Sequence, residues 1–218
     1  MPLFNIHSHS THPLPLKGVI VNAAEDFEML NAQVNYSAGL HPWFLKENSA
    51  EIEFESLKRV CKQDHVLAIG ECGLDKVCET PLALQEEYFA KQIDLANEIR
   101  KPIIIHCVRA YDEVLSLLKD KMNSVPVVFH GYNRNMNIAR NILDHGHYLS
   151  FGKHLLKSDD VRAVFQSVPV EKIFLETDDS AERIEDIYTV AATLHGITGK
   201  DLEDRVATNV INVFGKLF

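Results

Sequence analysis

A chain of 218 residues with 46% hydrophobic and 24% charged residues has ordinary globular composition and is long enough to bury a sizeable core. A net charge of −9 excludes a broad basic nucleic-acid footprint, so an anionic substrate must be held at a local site where bound cations reverse the sign. No stretch approaches the roughly eighteen apolar residues of a membrane helix, and MPLFNIHSHS lacks the basic and apolar regions of a signal peptide; a cytoplasmic protein with no membrane partner is expected.

Taken in chain order, eight short apolar runs are predicted as strands: LFNIHS (3–8), KGVIVNA (17–23), NYSAGLHP (35–42), VLAIGEC (66–72), PIIIHCV (102–108), PVVFHGY (126–132), HYLSFG (147–152) and EKIFLETD (171–178). Between the fourth and fifth, Phe89, Ile93, Ala96 and Ile99 repeat with helical spacing. Segments 109–122, 136–146, 158–168 and 183–196 fit helices after strands five to eight, and Val206, Val210, Val213 and Leu217 mark a last helical stripe. Strands alternating with helices predict an α/β fold of the (β/α)8 TIM-type barrel class, shortened, as a single domain over 1–218. The four cysteines, Cys61, Cys72, Cys78 and Cys107, form no C-x-x-C pair and are expected as free thiols.

One connection is irregular. Only STHPLPLK (10–17) joins the first two strands, too short and proline-interrupted for a crossover helix. The first crossover helix is therefore predicted to be missing. Its absence leaves an outer wall near Val19 to Val21 open to another element or a second subunit.

In a barrel of this class the site lies at the carboxyl ends of the strands. Those ends carry His7 and His9, His41, Glu71, His106, His130, and Glu176 with Asp178. Alternation along a strand points His7 and His9 the same way, close enough to grip one cation. Imidazoles and carboxylates suit zinc, manganese, iron or magnesium, and a carboxylate can bridge two ions. The second H-x-H, His145 and His147, precedes its strand and belongs at the opposite, stability face; His65 also precedes a strand. His12, His154 and His195 read as loop or helix-end residues. His41, in GLHPW, is divided between substrate contact and packing with Trp43.

NIHSH, GLHPW, AIGECGLD, PIIIHC, VVFHGY, IFLETDDS and ATNVINVFG occur in the order and approximate spacing of the TatD family of metal-dependent deoxyribonucleases, among the amidohydrolase-like barrels. The resemblance spans nearly the whole chain. It implies two divalent metal ions, with His7, His9 and Asp178 matching ligands of one, His106 and His130 matching ligands of the other, and Glu71 matching the shared carboxylate. It further implies hydrolysis of phosphodiesters, with DNA or a smaller phosphodiester as substrate; whether a monomer or a homodimer does so is left open. Asp178 is the candidate for orienting the attacking water and accepting its proton. Glu176 is expected one layer deeper, in a structural role, and Asp75 is divided between fixing its loop and touching substrate.

The departures from the family pattern concern substrate handling. Asn5 stands where the family has an aspartate, losing a charge while keeping hydrogen-bonding capacity. The family arginine two residues after the fifth-strand histidine is Val108 here, with Arg109 shifted by one, so only a redirecting turn brings it to the site. Lys76 and Arg134 are the rival cations for phosphate. The usual long Asn-x-Pro loop after LETDDS is absent. Two other readings stay open: an amidohydrolase-type enzyme cleaving a C–N or carboxylic-ester bond, and a non-catalytic metal-binding relative.

Overall fold

The computed structural model describes residues 2–10, 17–23, 27 and 30–218. Its strands are β1 (Asn5–Ser8), β2 (Val19–Asn22), β3 (Asn35–Ala38), β4 (Val66–Asp75), β5 (Ile103–Val108), β6 (Val127–Phe129), β7 (Tyr148–Phe151) and β8 (Ile173–Leu175), one at each predicted run. The α-helices are α1 (Ala50–Val60), α2 (Leu82–Ile99), α3 (Tyr111–Asp120), α4 (Met136–Asp144), α5 (His154–Lys157), α6 (Asp159–Ser167), α7 (Ile184–His195) and α8 (Gly199–Phe214). The strands form one sheet in chain order, β1 to β8, and an isolated parallel bridge from Ser8 to Asp178 ties the chain just after β8 back to β1. This is the (β/α)8 barrel class expected from the alternation. The first connection falls largely on residues 11–16, which, with His12, lie outside the described residues. The chain divides into two compact units, residues 1–21 with 128–218, and residues 22–127.

In the first unit, β1 is locked to the chain after β8 by one side chain. Asn5 Nδ2 donates to Thr177 Oγ1 at 2.8 Å while Asn5 Oδ1 accepts from Thr177 N at 3.0 Å. The neutral amide both gives and takes, which an ionised aspartate cannot do. From α7, the Tyr188 hydroxyl accepts from Phe4 N at 3.0 Å and donates to Phe4 O at 2.9 Å, pinning the start of β1. The α6 and α8 N-termini are capped by Ser158 and Thr198, whose side chains accept from Val161 N and Asp201 N.

Two expectations for this unit meet the C-terminal tail, and the second is corrected. The wall near Val19 to Val21 is covered by another element, the first of the two possibilities left for it: Ile20 and Val21 are 0% and 1% exposed. The C-terminal tail folds back there, with Gly18 N donating to Phe218 O at 2.9 Å and the Phe218 ring meeting Phe4 edge-on at 5.3 Å. For the same reason Leu217 does not continue the last helical stripe. The helix ends at Phe214, with Gly215 at φ 75°, and buries Leu202, Val206, Val210, Val213 and Phe214, while Leu217 is exposed.

The second unit contains a helix that the periodicity reading did not include. In α1, Ala50, Phe54, Leu57 and Val60 are buried, Glu51 and Glu53 occupy the first turn, and Lys58 and Arg59 the last. That charge order complements the helix dipole. Strand β4 runs three residues beyond its predicted end, to Asp75, and all ten of its residues are buried. Opposite β5 it carries one extra residue, since Ile69 to Cys72 on β4 spans the pairing of Ile103 to Ile105 on β5. Beyond that irregularity Gly73 lies so close to β5 that a Cβ there would overlap the His106 carbonyl, and its φ of 137° is one that side-chain-bearing residues rarely adopt.

Helix α2 anchors this unit through two buried glutamines. Gln85 Oε1 accepts from Asp75 N at 2.7 Å and its Nε2 donates to Asp75 O at 3.0 Å. Gln92 Oε1 accepts from Leu40 N at 2.7 Å and its Nε2 donates to Leu40 O at 3.3 Å. Seven residues apart, they lie on one face of the helix and fix the chain at Asp75 and immediately before His41.

Candidate metal centre

In the first unit, four of the predicted ligands gather around the ends of β1, β6 and β8. His7 is fully buried within β1, and His9 follows the strand with its side chain 40% exposed. Donor atoms of His7, His9 and Asp178 all lie within 4.8 Å of one another. His7 Nε2 is 3.7 Å and His9 Nε2 3.5 Å from Asp178 Oδ1. Two donors each about 2.0–2.1 Å from a tetrahedral ion stand roughly 3.4 Å apart, so these separations suit common coordination better than direct hydrogen bonding. Asp178 has φ 56°, a left-handed conformation that aspartate tolerates. Its N donates to His7 O at 3.0 Å and its O accepts from His9 N at 3.1 Å, which holds the carboxylate over the H-x-H pair.

The His130 ring lies 4.3 Å from that of His7, centroid to centroid. Behind it, Glu176 is fully buried, and its Oε1 accepts from Gly131 N at 2.6 Å and lies 3.4 Å from His130 Nδ1. A buried carboxylate behind an imidazole fixes the ring's orientation. Glu176 is thus deeper than Asp178, whose side chain is 24% exposed. Lys153, immediately after β7 and Gly152, was not foreseen. Its Nζ lies 2.5 Å from Asp179 Oδ1 and 3.9 Å from Asp178 Oδ2, and its hydrogen bond to Asp179 holds it more firmly protonated than an ordinary lysine. Its place at a strand end is the signal that could have found it.

In the second unit, Glu71, His106 and His41 form another group with donor atoms within 4.8 Å of one another. His41 Nδ1 accepts from Trp43 N at 3.1 Å, which leaves the proton of a neutral ring on Nε2, directed at Glu71 Oε1 3.2 Å away. His41 therefore orients Glu71, and it also packs edge-on against Trp43, with ring centroids 4.9 Å apart. His106 sits between two carboxylates: Nδ1 is 2.8 Å from Glu71 Oε1 and Nε2 is 3.1 Å from Asp75 Oδ2. If Nε2 donates to Asp75, the Nδ1 lone pair faces the Glu71 carboxylate, and a proton or a cation must lie between them. Mixed nitrogen and oxygen donors facing each other in this way fit a divalent metal ion.

Asp75 is buried, and both of its carboxylate oxygens are engaged within the protein. Oδ1 accepts from Val77 N at 2.7 Å, fixing the loop, and Oδ2 accepts from Trp43 Nε1 at 2.6 Å as well as facing His106. Burial pushes the Asp75 carboxyl up, but the hydrogen bonds from Trp43, Val77 and His106 outweigh it and hold it below the ordinary carboxylate value. Nothing in the GLD motif alone indicated the tie to Trp43, which is 32 residues away in sequence.

The three predicted substrate cations differ in setting. Arg109 is exposed at φ 55°, so a left-handed turn does redirect the chain after β5. Lys76 is paired with Glu113 of α3, and Arg134 is half-buried in the segment before α4. His145 and His147 precede β7 and belong to neither donor group among the described residues. His145 Nδ1 lies 2.8 Å from Asn141 O, and burial lowers His147 to about 4. All four cysteines are free, and no helix among the described residues is long and apolar enough to cross a membrane.

Comparison with known proteins places these groups in context. A sequence model of the family described as TatD related DNase matches residues 16–215. An uncharacterized metal-dependent hydrolase from Buchnera aphidicola is 32% identical over 152 residues, covering 68% of this chain and 57% of the relative. A protein named 3'-5' ssDNA/RNA exonuclease TatD, from Klebsiella pneumoniae, is 31% identical over 148 residues, covering 65% of this chain and 56% of its own. The chain thus spans little more than half the length of these two relatives. The crystal structure of a TatD homolog from Escherichia coli, YJJV, superposes with a TM-score of 0.84 at 21% identity, covering 98% of both chains, which shows the shared fold.

Proposed function

The chain belongs to the TatD related DNase family of metal-dependent hydrolases, and from that premise we propose that it hydrolyses phosphodiester bonds in DNA, with two divalent cations held by the residues described above. The observation that carries the reading is the His7, His9 and Asp178 group, whose donor spacing fits one cation. By the family motif, Glu71 and His106 with His130 would hold a second ion, with Glu71 the residue that would serve both. Residues 1–218 act as one hydrolase domain.

Bound cations supply Lewis-acid charge that favours ionisation of water and neutralises oxygens that gain charge during in-line attack on phosphorus. The chain's own residues supply the geometry. Asp178, fixed by its two backbone bonds to β1, orients the attacking water and accepts its proton. Glu176 fixes the His130 ring, while His41 and Asp75 fix Glu71 and His106 respectively. Local positive charge at these groups is what permits a protein of net charge −9 to hold a polyanion.

The test is metal analysis of the purified protein followed by assays on single-stranded DNA, duplex DNA and a small phosphodiester, with and without chelator. Cleavage of DNA that stops on chelation and returns with added divalent metal is the expected result. Hydrolysis of a C–N or carboxylic-ester bond, with every phosphodiester untouched, overturns the reading.

A further inference from the structure

Two large aromatic side chains stand exposed beside the second donor group. Trp43 and Phe44 are 56% and 46% exposed and are the only aromatic residues among the large exposed apolar side chains of the described residues. The indole is nevertheless held in place. Its Nε1 donates to Asp75 Oδ2 at 2.6 Å, and its ring meets those of His41 and His106 edge-on at 4.9 and 5.5 Å. Phe44 lies 5.4 Å from the His41 ring and borders a cavity of about 230 Å³, which Phe27, Leu40, Leu45, Lys46 and Glu53 also line. An exposed indole immobilised through its polar edge, next to a cluster that fits a catalytic metal, is pre-organised to receive a flat apolar ring.

We propose that Trp43 forms a stacking platform for a nucleobase of single-stranded nucleic acid, walled by Phe44, whose ring stands at 77° to the indole, placing the strand beside the His41, Glu71 and His106 group. The proposal rests on the reading of this chain as a nucleic-acid hydrolase and adds the element that grips the base. Stacking on an aromatic face accepts every base, and beside a metal centre it leaves the strand's charge to be met locally in a chain of net charge −9. It also favours single strands over duplex, because bases in a duplex are already stacked on one another.

Trp43 is the only tryptophan in the chain, so its emission reports on the platform directly. The metal-loaded protein is titrated with a hydrolysis-resistant phosphorothioate oligothymidylate, and with the same strand carrying abasic positions. Saturable quenching of Trp43 emission by the intact strand is expected, with roughly tenfold weaker binding of the abasic strand. By anisotropy of a labelled strand, Trp43→Ala should weaken binding by about the same factor and lose the discrimination against abasic positions. Trp43→Phe should retain most of both, because it keeps a ring while losing the N–H to Asp75. Equal loss in Trp43→Phe and Trp43→Ala overturns the proposal, since the indole then acts only through Asp75. Unchanged emission on binding, in a wild-type protein that still cleaves DNA, also overturns it. A wild-type protein that neither binds nor cleaves DNA instead overturns the hydrolase reading on which the proposal rests.

Discussion

Asp75 Oδ2 lies 3.1 Å from His106 Nε2, so a carboxylate near the end of β4 fixes which nitrogen of a β5 histidine is directed at Glu71. Removing that charge should lower the basicity of the ring and loosen its orientation. For Asp75→Asn we expect metal affinity to fall by about 10–100-fold, measured by competition with a metal-binding dye. Unchanged affinity would show that Asp75 serves only to hold Val77 and Trp43 in place.

Glu71 is the second carboxylate on that histidine. Glu71→Gln keeps the shape but cannot supply the negative charge that lets two cations sit close together. Its metal-to-protein ratio should drop together with its activity. Two full equivalents of metal in this variant, determined by elemental analysis, would remove Glu71 as the shared ligand.

The two H-x-H pairs make opposite predictions. His7→Ala or His130→Ala should reduce bound metal, whereas His145→Ala and His147→Ala should leave it unchanged, because the latter pair precedes β7 and lies in neither donor group. Parallel metal analysis of the four variants decides the matter. Equal loss in both sets would reverse the orientation assigned to the strands.

Phosphate contact should distinguish Arg109, Lys76, Arg134 and Lys153. Loss of one charge-assisted hydrogen bond costs about 1.5–3 kcal/mol, at least tenfold in kcat/KM on DNA. Lys76 and Lys153 already pair with Glu113 and Asp179, whereas Arg109 is exposed on its left-handed turn. Arg109→Ala should therefore show the largest effect, with metal content intact. Unchanged kcat/KM in all four alanine variants points to a smaller or uncharged substrate.

His147 should make stability depend on pH below neutrality. Burial, reinforced by the charges of His145 and Lys172, depresses its pKa in the folded protein from 6.5 to about 4. The unfolded chain therefore binds the proton first, and stability falls as pH drops from about 6.5 toward 4. A His147→Gln variant, compared with wild type in urea unfolding at pH 7 and pH 4.5, should lose less stability on acidification. An identical loss in both proteins would place the acid sensitivity elsewhere.

The eight strands were legible because strands buried on both faces read as continuous apolar runs, and the residues of the two candidate donor groups were picked out because each stands at the carboxyl end of such a run. Local chemistry likewise marked Glu176 as deeper than Asp178 and placed the His145 and His147 pair before its strand, outside both donor groups. Helix α1 was also written in local periodicity, at Phe54, Leu57 and Val60, but its dense charges obscured it. What no local pattern contained were the ties between distant segments. Gln85 and Gln92 anchor Asp75 and Leu40, Trp43 grips Asp75 across 32 residues, and Phe218 closes over the segment before β2. Each of these is a polar or aromatic side chain whose partner is set by tertiary proximity, and neither helical nor strand periodicity encodes which distant backbone group it will meet.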